Sequence, residues 1–364
     1  MIGPTAASFS LCLLAMFALR PLAIALELID RPGGRKTHHG DVPVVGGLAM
    51  LLGIVFGLGF VPLSDIAVTS FLAACVLLVT VGLLDDRFDL SPWTRLPVQI
   101  SAALILIAGS GASVTTLGAP FGGPGVLLEG FGAYAFTILI ILAAINAFNM
   151  LDGMDGLAGA MGIVALSALV FLALDAGAAV VAASGLAVVG AVTAFLISNV
   201  PMRFNRDVRC FMGDSGSTLL GFAVAWLCIT VSQHPVNAAA PVTLLWIVAL
   251  PLFDFLWTIA RRAMRGSSLL QADEEHLHHL VLRAGFGVRG AFVVFAALAA
   301  LLAAFGISLD RLGVADSASL LLLTATGIVV VRLMYSAHVL YAWLPAFLNE
   351  NPAHERARGG EGDA

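Results

Sequence analysis

Asn146-Ala-Phe-Asn149-Met-Leu-Asp152-Gly153-Met-Asp155-Gly156-Leu-Ala-Gly159 sets two amides and two carboxylates between apolar runs, 132–150 and 156–174, that are each long enough to cross a bilayer. Hydrocarbon cannot solvate such groups, so they must reach a membrane surface or serve a function at the join of two helices. A plain polar hairpin needs only one or two turn formers. Two Asn and two Asp in ten residues mark the floor of an active site instead.

Working outward, the 364 residues are 60% hydrophobic and 11% charged, with a mean hydropathy of +0.99. A soluble globular chain carries about a quarter charged residues, so this is an all-α, polytopic transmembrane bundle. At about 20 apolar residues per helix, eleven spans are expected, at roughly 5–28, 44–63, 66–84, 96–117, 132–150, 156–174, 177–199, 216–232, 239–260, 290–308 and 318–345. The joins at 62–65 and 174–177 are the tightest. Met1 to Leu11 has no basic side chain and Arg20 interrupts the first run, which is therefore read as a span and not a signal peptide. Residues 1–345 form one integral membrane domain with no visible repeat, and 346–364, polar and Gly-rich, form a disordered tail.

The net charge of −5 says little about partners, but the placement of basic residues orients the chain. With the N-terminus outside and the C-terminus cytoplasmic, fifteen of the 18 Lys and Arg residues fall on the inside, while the outer segments 118–130 and 232–240 are nearly uncharged. Nucleic acid is not an expected partner. Cys12, Cys75, Cys210 and Cys228 are scattered without metal-type pairing and are expected as free thiols.

The polar clusters all fall on the expected cytoplasmic face. Lys36, His38 and His39 precede Gly46-Gly47 at a helix start, a setting suited to phosphate or nucleotide. Asp85-Asp86 ends a span, and adjacent carboxylates need a cation or shared proton to relieve their repulsion. Helical neighbours point about 100° apart, so at most one of the two need face the chemistry. Asp152 and Asp155 share a face if that segment stays helical. Gly213-Asp214-Ser215-Gly216-Ser217 exposes a carboxylate at a helix N-terminus, where all-oxygen ligands favour Mg²⁺ or Mn²⁺ over zinc. Arg261, Arg262 and Arg265, with Glu274-Glu275-His276-Leu277-His278-His279, make an anion site. Together these sets are what a metal–diphosphate substrate requires. Asp254, inside a span, is placed to support the site from behind.

Taken in order from Asp30 to Arg289, these stretches resemble the polyprenyl-phosphate N-acetylhexosamine-1-phosphate transferases. The likeness rests on Asp85-Asp86, the Asn-Xaa-Xaa-Asn-Xaa-Xaa-Asp-Gly-Xaa-Asp-Gly run at Asn146 to Gly156, Gly213-Asp214 and the histidine box. His-Xaa-His-His at His276 to His279 is similar to the bacterial branch that uses undecaprenyl phosphate and UDP-GlcNAc, whereas enzymes using UDP-MurNAc-pentapeptide carry three consecutive histidines. A Lys often found three residues after the aspartate pair is Asp89 here, and Arg95 is expected to supply that charge. The resemblance implies Mg²⁺ on Asp214 with Asn149 near the metal-bound diphosphate. It implies Asp85, Asp86 and His276 in catalysis, with Asp85 as base or acceptor-orienting group. Lys36, Arg95, Asn146, Asp152, Asp155, Arg262, Arg265, His278 and His279 would hold substrates. The implied reaction is attack of the lipid phosphate on the β-phosphorus of UDP-GlcNAc, starting O-antigen or a related glycan. Another UDP-N-acetylhexosamine, or UDP-MurNAc-pentapeptide, would undergo the same chemistry. A secondary transporter is the alternative of another class, but transporters keep polar groups near the bilayer midplane, and here they lie at helix ends.

Overall fold

Each of the eleven apolar runs contains a helix, but not every helix is a full span. A computed structural model describes residues 2–30, 41–62, 65–200, 210–266 and 287–341, with side chains to 333 in the last helix. Its helices are α1 (Ile2–Ala18), α2 (Arg20–Ala25), α3 (Gly46–Leu58), α4 (Ile66–Phe88), α5 (Pro92–Ser110), α6 (Gly130–Leu151), α7 (Leu157–Asp175), α8 (Ala179–Asn199), α9 (Gly213–Ser232), α10 (Pro241–Ile247), α11 (Ala249–Met264), α12 (Val288–Arg311) and α13 (Asp316–Tyr341). Seven are long and apolar enough to cross a membrane, or eight if the bent pair α10–α11 counts as one span. Among the described residues the expected count of eleven spans is therefore not reached on length and composition. At 1.5 Å per residue, the 13 residues of α3 reach only about 20 Å across a core of about 30 Å. The first run breaks between α1 and α2, where Pro21 cannot donate to the preceding turn. Polar groups, Arg95 and Gln99 among them, occupy the first turns of α5.

Helix α9 is the axis of the bundle. In its apolar window 89% of residues are buried, against 28% for α12, which sits at the rim. Around α9 pack α3, α4, α6 and α7. Phe71 of α4 stacks on Trp226 of α9 with ring centroids 4.1 Å apart. Glycine permits the closest approaches: a Cβ on Gly221 would lie 2.7 Å from the Ala144 carbonyl of α6, and one on Gly82 of α4 would lie 2.4 Å from Ser215 Cα. Helix α1 belongs to this body as well, packing on α3 and α8.

Before α3 the chain makes a short antiparallel hairpin, β1 (Ile29–Asp30) with β2 (Val42–Pro43). The segment entering α9 continues this pairing, since Phe211 N–H donates to the Pro43 carbonyl at 2.9 Å, and Gly46 and Gly47 N–H donate to Phe211 and Met212 at 3.0 and 3.2 Å. Both glycines thus serve packing: a Cβ on Gly47 would lie 2.4 Å from Gly216 N. Their N–H groups are thus already used, and Lys36, His38 and His39, expected beside them as a phosphate or nucleotide contact, lie outside the described residues.

The turns follow local chemistry. Asp65 caps α4 by accepting from Ala67 N–H at 2.9 Å. Asp89 ends α4 in the left-handed region, with φ 51°. The tight join between α7 and α8 turns on Gly177, with φ 72°. At the end of the bundle remote from Asp85, Gln233 is buried and accepts from the N–H groups of Thr115 and Thr116 at 2.9 and 3.0 Å, tying the loop between α5 and α6 to the end of α9. All four cysteines are free thiols, as their scattered spacing suggests. The 346–364 tail lies outside the described residues.

Candidate active site

Four helix ends meet around two carboxylates. Asp85 and Asp86 finish α4, Arg95 lies in the first turns of α5, Asn149 in the last turn of α6, and Asp214 in the first turn of α9. The two adjacent aspartates do point apart. Asp85 is buried and turns toward α5: its Oδ2 accepts from Arg95 Nη1 at 2.9 Å and its Oδ1 from Leu90 N–H at 2.8 Å. Asp86 turns toward α9 and accepts from Asp214 N–H at 2.6 Å, Ser215 N–H at 3.3 Å and the Ser215 hydroxyl at 2.8 Å. A carboxylate supplied by another helix therefore caps α9, satisfying donors that every helix N-terminus leaves open.

Asp214 is one third exposed and stands between Arg95, whose Nη1 is 3.8 Å from its Oδ1, and Asn149, whose amide N–H donates to that same oxygen. The Asn149 amide also donates to Ser217 Oγ at 3.0 Å. In this arrangement Asn149 orients the Asp214 carboxylate by its N–H groups. Sharing a cation with Asp214 would require the carbonyl side of its amide to turn inward. Asn146, one turn earlier on α6, donates to Gln99 Oε1 at 3.0 Å and to the Leu142 carbonyl at 2.7 Å. Asp85, Arg95, Gln99 and Thr218 bound a cavity of about 20 Å³, enough for a single water.

Asp152 and Asp155 occupy a turn, since α6 stops at Leu151 and α7 starts at Leu157. The helical face expected to align them does not exist. Gly156, with φ 77°, closes the turn in the left-handed region that its missing Cβ permits. Burial first, then the charges of Asp214, Asp86 and Asp155, hold the Asp152 carboxyl well above the usual carboxylate range. The turn thus adds a fourth and a fifth carboxylate to those of Asp85, Asp86 and Asp214. Arg262 is buried in the last turn of α11 and Arg265 caps that helix; α11 packs against α6. Asp254 is buried in α11. Lys36, His276, His278 and His279 lie outside the described residues.

Among the described residues, no three His, Cys, Asp or Glu side chains converge as a metal cage. Mg²⁺ does not need one, because it commonly rests on one or two carboxylates plus substrate phosphates and water. Asp214, partly exposed amid an excess of carboxylates, fits such a use. Gln99, Ser215 and Ser217 are partners in the site to which the sequence pattern assigns no role. For Gln99 a signal existed, since it sits one turn after Arg95 in an otherwise apolar helix.

An apolar groove of about 410 Å³ opens between α6, α9, α10 and α11. Ala147 and Phe148, the two residues before Asn149 on α6, line it. At its other end stand Phe121 and Gln233.

Glycosyl transferase family 4 matches residues 68–232, the segment running from α4 through α9. An undecaprenyl-phosphate alpha-N-acetylglucosaminyl 1-phosphate transferase of Yersinia pestis is 37% identical over 300 residues, covering 82% of this chain and 81% of that protein. The enzyme of the same name from Escherichia coli strain K12 is 38% identical over 294 residues, covering 81% and 80%. That of Pasteurella multocida strain Pm70 is 35% identical over 343 residues, covering 91% of each. Likeness of this extent, over a chain whose aspartate pair, Asn149 and Asp214 meet at one end of a helical bundle, means that the protein belongs to glycosyl transferase family 4, the polyprenyl-phosphate sugar-1-phosphate transferases.

Proposed function

We propose that the chain transfers N-acetylglucosamine 1-phosphate from UDP-GlcNAc to undecaprenyl phosphate, releasing UMP, in a bacterial inner membrane with the polar cluster facing the cytoplasm. The observation that carries this is the course of α6, which walls the groove with Ala147 and Phe148 and, one residue on, supplies Asn149 to the polar cluster. A polyprenyl tail lying along α6 would leave its phosphate at the helix ends, beside Arg95 and Asp214. The names of the relatives supply the two substrates. Orientation rests on the excess of basic residues beside that end of the bundle.

A phosphate monoester is largely dianionic at neutral pH, its second pKa being about 6. An oxygen of the lipid phosphate forms the new bond to the β-phosphorus as the bond from that phosphorus to the bridging oxygen breaks. UMP departs with the electron pair. No strong base is needed; the difficulty is bringing anions together. Arg95, held by Asp85, offers the guanidinium that neutralises the acceptor phosphate. Asp85 then acts by orienting Arg95, because both of its oxygens are already engaged. Asp214, oriented by Asn149, would hold Mg²⁺, which when bound supplies charge neutralisation to the diphosphate. Asp152, Asp155 and Asn146 are assigned to the nucleotide-sugar side, with Arg262, Arg265, Lys36, His276, His278 and His279 as further anion contacts. The lipid-linked product would start O-antigen or a related surface glycan.

Purified protein given UDP-GlcNAc, undecaprenyl phosphate and Mg²⁺ should release UMP, and Asp214→Ala should abolish it. Normal Mg²⁺-dependent turnover by Asp214→Ala would remove the metal assignment, and UDP-GalNAc used as well as UDP-GlcNAc would remove the sugar assignment.

A further inference from the structure

Between α10 and α11 the chain turns through 85° at Val248, a residue followed only three positions later by a proline. Both limbs of this bend wall the groove, α10 with Leu244 and Leu245, α11 with Leu252 and Phe255. Two other side chains of the same limbs, Trp246 and Phe253, leave the groove and seat on the rim helices. Trp246 is fully buried, its indole N–H donates to Ser319 Oγ of α13 at 3.0 Å, and its ring meets Phe305 of α12 edge-on with centroids 5.1 Å apart. Beneath it is Gly306 of α12, where a Cβ would lie 2.2 Å from Trp246 Cβ. Phe253 sits the same way on Gly327 of α13, where a Cβ would lie 2.7 Å from its ring. A buried indole N–H with a partner, over a glycine that admits nothing larger, fixes one position for α10.

We propose that Trp246, seated on Gly306 and bonded to Ser319, is a positioning latch that sets the α10–α11 bend and with it the shape of the groove that receives the polyprenyl chain. This rests on the groove being the lipid site. The latch touches neither Asp214 nor Arg95, and Trp246 lies on the α10 limb, so its loss falls first on the groove and only at second hand, through α11, on Arg262 and Arg265. A residue serving general stability would weaken both substrates alike.

Three latch variants and one groove variant test it: Trp246→Phe, Ser319→Ala and Gly306→Leu against Cys228→Trp, which fills the groove away from the latch. Steady-state kinetics should show KM for undecaprenyl phosphate rising about tenfold in Gly306→Leu and roughly threefold in Trp246→Phe and Ser319→Ala, with KM for UDP-GlcNAc within about twofold of wild type. Should Gly306→Leu fail to fold, the two milder variants carry the comparison. Equal rises in both KM values, or none for the lipid, overturn the latch. If Cys228→Trp raises the lipid KM while the latch variants do not, the groove stands and the latch falls. If Cys228→Trp leaves it unchanged, the groove is not the lipid site and the latch falls with it.

Discussion

Replacing Asp86 removes the acceptor that α9 uses for the N–H groups of Asp214 and Ser215 and for the Ser215 hydroxyl. Hydrogen bonds to a charged group contribute about 1.5–3 kcal/mol each, and losing a helix cap costs about 1 kcal/mol. Against this stands relief of repulsion between the Asp86 and Asp214 charges. The Ser215 N–H contact, at 3.3 Å, is also the weakest of the three. Asp86→Ala should therefore lose about 2–3 kcal/mol of stability and Asp86→Asn, which keeps one carbonyl acceptor, about 1 kcal/mol. Thermal unfolding in detergent without divalent cations should rank wild type above Asn above Ala. A double-mutant cycle with Ser215→Ala should return a coupling of about 1 kcal/mol. Turnover should fall in the same order, because Asp214 takes its position from the turn that Asp86 holds. Were Asp86→Ala to unfold with wild type and only lose turnover, the carboxylate would be acting on substrate, and the capping role would be refuted.

Asp152→Asn should be more stable than wild type at neutral pH without divalent cation. A folded carboxyl held above its ordinary value of 3.8 costs stability once pH rises past that value, so the gain should be present near pH 7 and vanish below about 4, as paired melting curves would reveal. Gly47→Ala and Gly82→Ala should each cost about 1–3 kcal/mol by overpacking against α9, measurable by the same unfolding assay, whereas Gly132→Ala, which meets nothing within 4 Å on α6, should be neutral or slightly stabilising. Gln99→Ala should cost about 1 kcal/mol by removing the acceptor of Asn146, and should lower turnover in the UMP assay. Cys210 should resist alkylation of the native protein at pH 8, because burial pushes its thiol up to about 12, and mass spectrometry would detect the adduct if it formed.

Much of this arrangement can be read in the residues. Apolar runs reveal helices because hydrocarbon enforces internal hydrogen bonding, and the opposed directions of Asp85 and Asp86 follow from helical geometry. Span length is less legible: a run at the right hydropathy can break at Pro21 or bend at Val248, and only packing decides where. The pairing expected of Asp152 with Asp155 assumed a continuous helix, whereas Gly153 and Gly156 favour a turn. Gly46-Gly47 looks alike whether it receives a phosphate or a neighbouring helix, and only the backbone of Phe211 and Met212 decides for the helix. Gln99 and Ser215 act through partners 47 and 129 residues away. Nothing local in the chain announces such pairings.

The cap on α9 also has a bearing on synthesis. Asp86 and Asp214 N–H are 128 residues apart, and at 5–20 residues per second the ribosome needs roughly 6 to 26 s to cover that distance. Throughout that interval the end of α4 carries two aspartates, of which only Asp85 can already find its partner, Arg95, nearby. Asp86 has to wait in water at the membrane surface, which pins the end of α4 there before the later helices exist. The same carboxylate that completes α9 in the finished protein can thus act earlier as a stop that keeps α4 from sliding deeper into the bilayer.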